Sequence, residues 1–74
     1  MNAREMASAA GLPPMLTYDV GDTCKYTGLS RRTLYEEVRA GRLRALVPKG
    51  RTKGCRIKPE DVDIWVRENT RGQV

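Results

Sequence analysis

Seventy-four residues, 31% of them charged and 39% hydrophobic, carry a net charge of +5 and a pI near 9.7. That length allows one small core and leaves no room for a catalytic domain beside a scaffold. The hydrophobic fraction excludes full disorder, and the positive charge favours a polyanionic partner.

The chain has no histidine and only two cysteines, Cys24 and Cys55. A zinc site lacks its usual ligands, and the two thiols read as reduced packing residues in a cytoplasmic protein rather than as a disulfide. No run reaches membrane-spanning length, and the N-terminal segment has no continuous apolar stretch of the signal-peptide kind.

Residues 1–15, "MNAREMASAAGLPPM", are small and Ala-rich and are closed by Gly11 and the Pro13–Pro14 pair. Proline stops a helix, so this segment reads as a flexible arm, with a short helix on binding as the alternative.

The first predicted helix covers Val20 to Thr27. Asp19 suits its N-cap and Asp22 the third helical position, an acidic variant of the capping box. Val20, Cys24 and Thr27 would form its inner stripe, Gly21 weakens it, and Gly28 suits the left-handed residue that ends it. Leu29 then plugs the core from the turn.

A second helix follows the three residues "GLS", a spacing typical of helix-turn-helix units. Ser30 is its predicted N-cap, Leu34 and Val38 its inner face, and Gly41 its stop. Its outward face carries Arg31, Arg32, Thr33, Tyr35, Glu36 and Arg39. Residues at the start of a recognition helix reach base edges and flanking phosphates in the major groove. Arginine can bond guanine with both arms of its fork, threonine can meet a thymine methyl, and tyrosine can bond phosphate. A solvated face with an ordinary Arg32–Glu36 pair accounts for this helix equally well when it is taken alone.

The next segment, "RLRALVPKGRTKGCRIKP", reads as a β-hairpin with strands over 43–47 and 55–58. Its loop, "PKGRTKG", concentrates Lys49, Arg51 and Lys53 with two glycines and a proline. From Ser30 to Lys58 stand ten basic residues and two acidic ones, a local charge of +8, whereas the rest of the chain has four basic and seven acidic, a balance of −3. Charge this segregated suggests one face built for a phosphate backbone. The last helix starts at Pro59, with Glu60 and Asp61 complementing its dipole. Val62, Trp65 and Val66 are its predicted contact stripe, with Trp65 in the core and "NTRGQV" a frayed tail.

"DVGDTCKYTGLSRRTLYEEVRAGRLRA", a basic hairpin, and "RIKPEDVDIWV" together resemble the excisionase family of small winged-helix proteins related to MerR regulators. The "GLSRRTLY" turn and the "AGRL" exit are the most specific parts, and the resemblance covers roughly residues 16–69. It implies an α+β winged helix-turn-helix with three short helices and a two-stranded β-hairpin wing, followed by a tail over 70–74. It implies DNA contacts from Arg31, Arg32, Thr33 and Tyr35 on the recognition helix and from Lys49, Arg51 and Lys53 on the wing. The basic-face reading adds Ser30 and Arg39 to the helix contacts and Arg56 to the wing. Gly21, the polar Thr27, a long wing and the Ala-rich arm depart from the family pattern.

The expected partner is double-stranded DNA, which the protein would bind sequence-specifically. Further copies on adjacent sites and an integrase complete an architectural role in excision. The alternative is a small transcriptional regulator with the same DNA grip; an RNA- or protein-binding adaptor using the basic face is a third reading. Relatives that sense effectors add a dimerising helix and a ligand segment, and the few residues after the last helix here do not provide them. With no clustered nucleophile and base and no phosphate-binding glycine loop, an enzyme is not expected, nor is a cofactor or metal. The expected location is the cytoplasm, on the nucleoid.

Overall fold

The computed structural model describes residues 1–48 and 54–72. Its elements are α1 (Ala3–Ala9), β1 (Tyr18–Asp19), α2 (Val20–Thr27), α3 (Arg31–Arg39), β2 (Arg56–Ile57) and α4 (Pro59–Asn69). Helices α2, α3 and α4 are the three read from the sequence, and the α+β winged helix-turn-helix class holds.

The helix α1 is new: residues 1–15 do not form the flexible arm expected of them. Asn2 and Glu5 make a reciprocal capping box, with Asn2 Oδ1 accepting from Glu5 N–H at 2.8 Å and Glu5 Oε1 accepting from Asn2 N–H at 2.9 Å. The buried Ala3 and Ala7 let the helix lie close against α2 and α4. Two contacts with α4 fix it there. The Ala3 N–H donates to Asp63 Oδ1 at 2.8 Å, and the Arg4 guanidinium grips Glu60 with both arms, at 2.6 and 2.8 Å. This contact holds the Glu60 carboxyl below its ordinary range. The prolines do limit the helix, which ends at Ala9, and Gly11 turns the chain with φ +83°.

The sheet also differs from the expected hairpin. The strand β2 pairs antiparallel with β1, Tyr18 opposite Ile57 and Asp19 opposite Arg56. The 43–47 segment contributes one bridge on the other side of β2, where Leu46 and Arg56 exchange both backbone hydrogen bonds at 2.7 and 2.9 Å. The polar Asp19 and the lone Tyr18 gave no alternation from which β1 could be predicted. The pairing brings Tyr18 into the core, where its hydroxyl donates to Pro13 O at 2.7 Å and its ring meets Tyr26 edge to face at 5.9 Å.

The core joins Tyr18, Val20, Tyr26, Leu34, Leu43, Cys55, Ile57 and Val62 with the two α1 alanines. Each fully buried Leu or Ile contributes about 1.5–3 kcal/mol relative to exposure. The inner face of α2 is Val20, Thr23 and Tyr26, one row round from the expected stripe, with Cys24 and Thr27 only partly covered. The added helix α1 accounts for this, because it packs on α2 and covers a face that three helices alone would leave open. Thr23 is accommodated inside because its hydroxyl donates to Asp19 O at 2.8 Å. On α4, Val62 is buried as expected, but Trp65 is half-buried and Val66 is 49% exposed. This helix also runs to Asn69, into the segment read as tail.

Candidate nucleic-acid interface

The pair α2–α3 is held by local chemistry that the sequence announces. Asp19 caps α2 by accepting from Asp22 N–H at 2.7 Å. Gly28, at φ +77°, ends the helix with its N–H on Cys24 O. This left-handed position suits glycine, which has no Cβ to clash. The Ser30 hydroxyl opens α3 by accepting from Thr33 N–H at 3.1 Å and donating to Thr33 Oγ1 at 3.0 Å. Leu34, 1% exposed, anchors the inner side of α3, and Val38 packs partly against the core.

The outer side of α3 is basic at both ends. Arg31 and Arg32 start it, no acid lies in its first turn, and Arg39 stands in its last. Arg32 is 87% exposed on its side chain and pairs loosely with Glu36 at 3.3 Å. Arg31 and Arg39 are exposed and have no carboxylate partner among the described residues. Thr33 and Tyr35 are half-buried, with Tyr35 leaning on the core. Ser30, Arg31, Arg32, Thr33, Tyr35 and Arg39 are thus brought together on one helix. The hydroxyls of Ser30 and Thr33 are engaged with each other in the cap.

The hairpin contributes less to the described interface than the sequence suggested. Lys49, Arg51 and Lys53 lie outside the described residues. Arg56, expected to face DNA from the wing, turns its guanidinium to Thr17 instead, donating to its Oγ1 and its backbone O at 2.9 Å each. That clamp ties β2 to the segment leading into β1. Arg44 and Lys58 remain exposed without a carboxylate partner among the described residues.

A second departure is a polar hub behind α3. The Glu37 carboxylate accepts from Arg42 Nε at 2.9 Å and Nη2 at 2.8 Å, and from Trp65 Nε1 at 2.8 Å. The two arms of Arg42, and then the indole N–H, bring the Glu37 carboxyl down to about 2. Trp65 therefore fastens α4 to the C-terminal end of α3, and the exposed Arg42 is paired with Glu37 at the surface. The i, i+5 spacing of Glu37 and Arg42 follows no helical rule, because Arg42 lies beyond the Gly41 turn, at φ +78°. No sequence signal marks the hub.

Cys55 is fully buried and Cys24 half-buried, both as free thiols, and burial pushes the Cys55 thiol up. Among the described residues no helix is long and apolar enough to cross a membrane.

Comparison with known proteins adds one result. No individual curated protein and no solved structure matches the chain. A family model described as a helix-turn-helix domain does match, over residues 17–70. The match runs from the Arg56-bound Thr17 through both helices of the motif to the end of α4, and leaves α1 outside it. Capped helices, a three-residue turn and a basic outer face on the second helix agree with that match over well over half the chain, which belongs to the helix-turn-helix domain family of DNA-binding modules.

Proposed function

We propose that the protein is a sequence-specific binder of double-stranded DNA of the excisionase kind. It would act as an architectural partner of an integrase when a prophage or other mobile element is excised. In this reading it works in the cytoplasm, on the nucleoid, and has no enzymatic activity, cofactor or metal of its own. One observation carries the reading: α3 presents Arg31, Arg32 and Arg39 outward with no acid in its first turn. Cations at a helix start oppose the dipole slightly, so their presence is explained by an anion from outside. Arg31, Arg32, Thr33 and Tyr35 contact base edges or the flanking phosphates at the major groove, and Lys49, Arg51 and Lys53 add charge for the neighbouring backbone.

So small a module buries only about 600–1,000 Å² of protein surface on DNA. Tight binding then calls for neighbouring copies on adjacent sites, an arrangement suited to bending DNA beside a recombinase. The test is selection of a preferred duplex from a random pool, then measurement of affinity for duplex DNA, single strands and duplex RNA over a salt series. Bending of the selected site and stimulation of excision by an integrase encoded nearby support the proposal. A preferred site without any effect on excision would make the protein a transcriptional regulator. Equal affinity for duplex RNA would remove the groove-reading role of α3.

A further inference from the structure

We propose that Gly21 is a positioning residue for Arg31: its missing Cβ forms the seat on which the Arg31 guanidinium rests across the start of α2, presented to a DNA phosphate. The inference rests on the duplex-DNA reading of α3. A Cβ built on Gly21 would stand 3.0 Å from Arg31 Nη2 and 3.9 Å from Arg31 Cζ, with Asp19 Oδ1 at 3.5 Å. The guanidinium therefore lies over the start of α2, and a methyl group there would require Arg31 Nη2 to shift by a few tenths of an ångström.

Nothing else in the fold requires glycine at this position. Among the described residues the glycines with left-handed backbone are Gly11, Gly28, Gly41 and Gly54, and Gly21 is not one of them. Glycine also lowers helix stability relative to alanine. What the residue does is admit the Arg31 side chain.

The seat has a consequence for recognition. The first helix of a helix-turn-helix pair crosses the DNA backbone while the second enters the groove. A guanidinium drawn back from the start of α3 onto the start of α2 is therefore placed to meet a phosphate, not a base edge. Arg31 keeps its charge available, because it has no ion pair among the described residues.

The experiment compares wild type, Gly21→Ala, Arg31→Ala and the double variant on a labelled mixed-sequence DNA duplex over a salt series, with thermal unfolding of each protein. Arg31→Ala should lower the salt slope by about 0.9 and the affinity about five- to tenfold near 0.1 M salt, as expected for one lost phosphate contact. Gly21→Ala should unfold at the same or a higher temperature and yet bind about threefold more weakly, because the guanidinium is displaced from the start of α2. In the Arg31→Ala background the same change should have no effect on binding, since a seat without its occupant does nothing.

Weaker binding by Arg31→Ala together with wild-type binding by Gly21→Ala would overturn the seat and leave the DNA reading standing. Wild-type affinity and slope in Arg31→Ala would instead remove Arg31 from the DNA contacts. A Gly21→Ala protein that unfolds early, and loses the same affinity with or without Arg31, would make the glycine a packing requirement only. Should that variant not fold, an NMR contact between the Arg31 Nε–H and the Gly21 α-protons in the wild-type protein decides the question, and its absence overturns the proposal.

Discussion

Reversing charge at the start of α3 separates what the arginines do for the fold from what they do for DNA. Arg31 is the first residue of the helix and Arg32 the second, and each opposes the positive end of the dipole. Arg31→Glu replaces an unfavourable cation with a favourable anion and breaks no ion pair among the described residues, a gain of about 0.3–1 kcal/mol. Arg32→Glu makes the same exchange but loses the exposed pair with Glu36 and sets two glutamates four residues apart. Those two losses come to about 0.2–0.5 kcal/mol each, so Arg32→Glu should fall close to wild type. The expected order of stability in low-salt urea unfolding is therefore Arg31→Glu, then wild type and Arg32→Glu together. Both variants should lose duplex binding, because each sets a carboxylate against phosphates. An Arg31→Glu protein less stable than wild type by more than about 1 kcal/mol, with DNA affinity intact, would refute the reasoning and make the arginine structural.

Three further outcomes test the frame behind the interface. The Glu37 carboxyl is lowered from 4.5 to about 2, so the stability it contributes is complete above pH 4.5 and is lost as the pH falls toward 2. Trp65→Phe removes one of its donors and should both destabilise the fold by about 1 kcal/mol and shrink that acid-dependent loss, as read from urea midpoints across pH 2–5. Ala7 is fully buried where α1 meets its neighbours, so Ala7→Leu should cost about 1–3 kcal/mol by overpacking, and an unchanged urea midpoint would show that α1 does not pack there. Gly28→Ala forces a Cβ into the left-handed backbone between α2 and α3 and should cost about 1–2 kcal/mol, measured by thermal unfolding.

The parts of the fold that were legible are those fixed by local chemistry. Asp19, Gly28, Ser30, Gly41 and Pro59 mark element ends through caps, left-handed turns and a first-turn proline, and each acts within a few residues of itself. The parts that were not legible depend on contacts distant in sequence. Ala3 and Arg4 look featureless until Asp63 and Glu60 arrive from α4. Tyr18 becomes a strand residue only because Ile57 lies opposite it. The interface follows the same rule. The basic face of α3 could be read from helical spacing, whereas the diversion of Arg56 to Thr17 and of Arg42 to Glu37 could not, since neither pair has a fixed spacing.

These diversions sharpen the electrostatic argument. The +8 segment from Ser30 to Lys58 is not a uniform patch. Arg42 is neutralised, Arg56 is engaged with backbone and hydroxyl, and Arg32 is loosely paired. Arg31, Arg39, Arg44 and Lys58 are left with no carboxylate partner among the described residues. A cation already held by a carboxylate must give up that partner before it can neutralise a phosphate, whereas an unpaired one releases counterions directly. Formal charge therefore overstates the number of phosphates that this segment can engage at once. Local anchoring explains how α3 tolerates arginines where its dipole favours acids. The Ser30 cap and the buried Leu34 hold the helix in place, and against that anchoring a penalty of a few tenths of a kcal/mol for each cation is small.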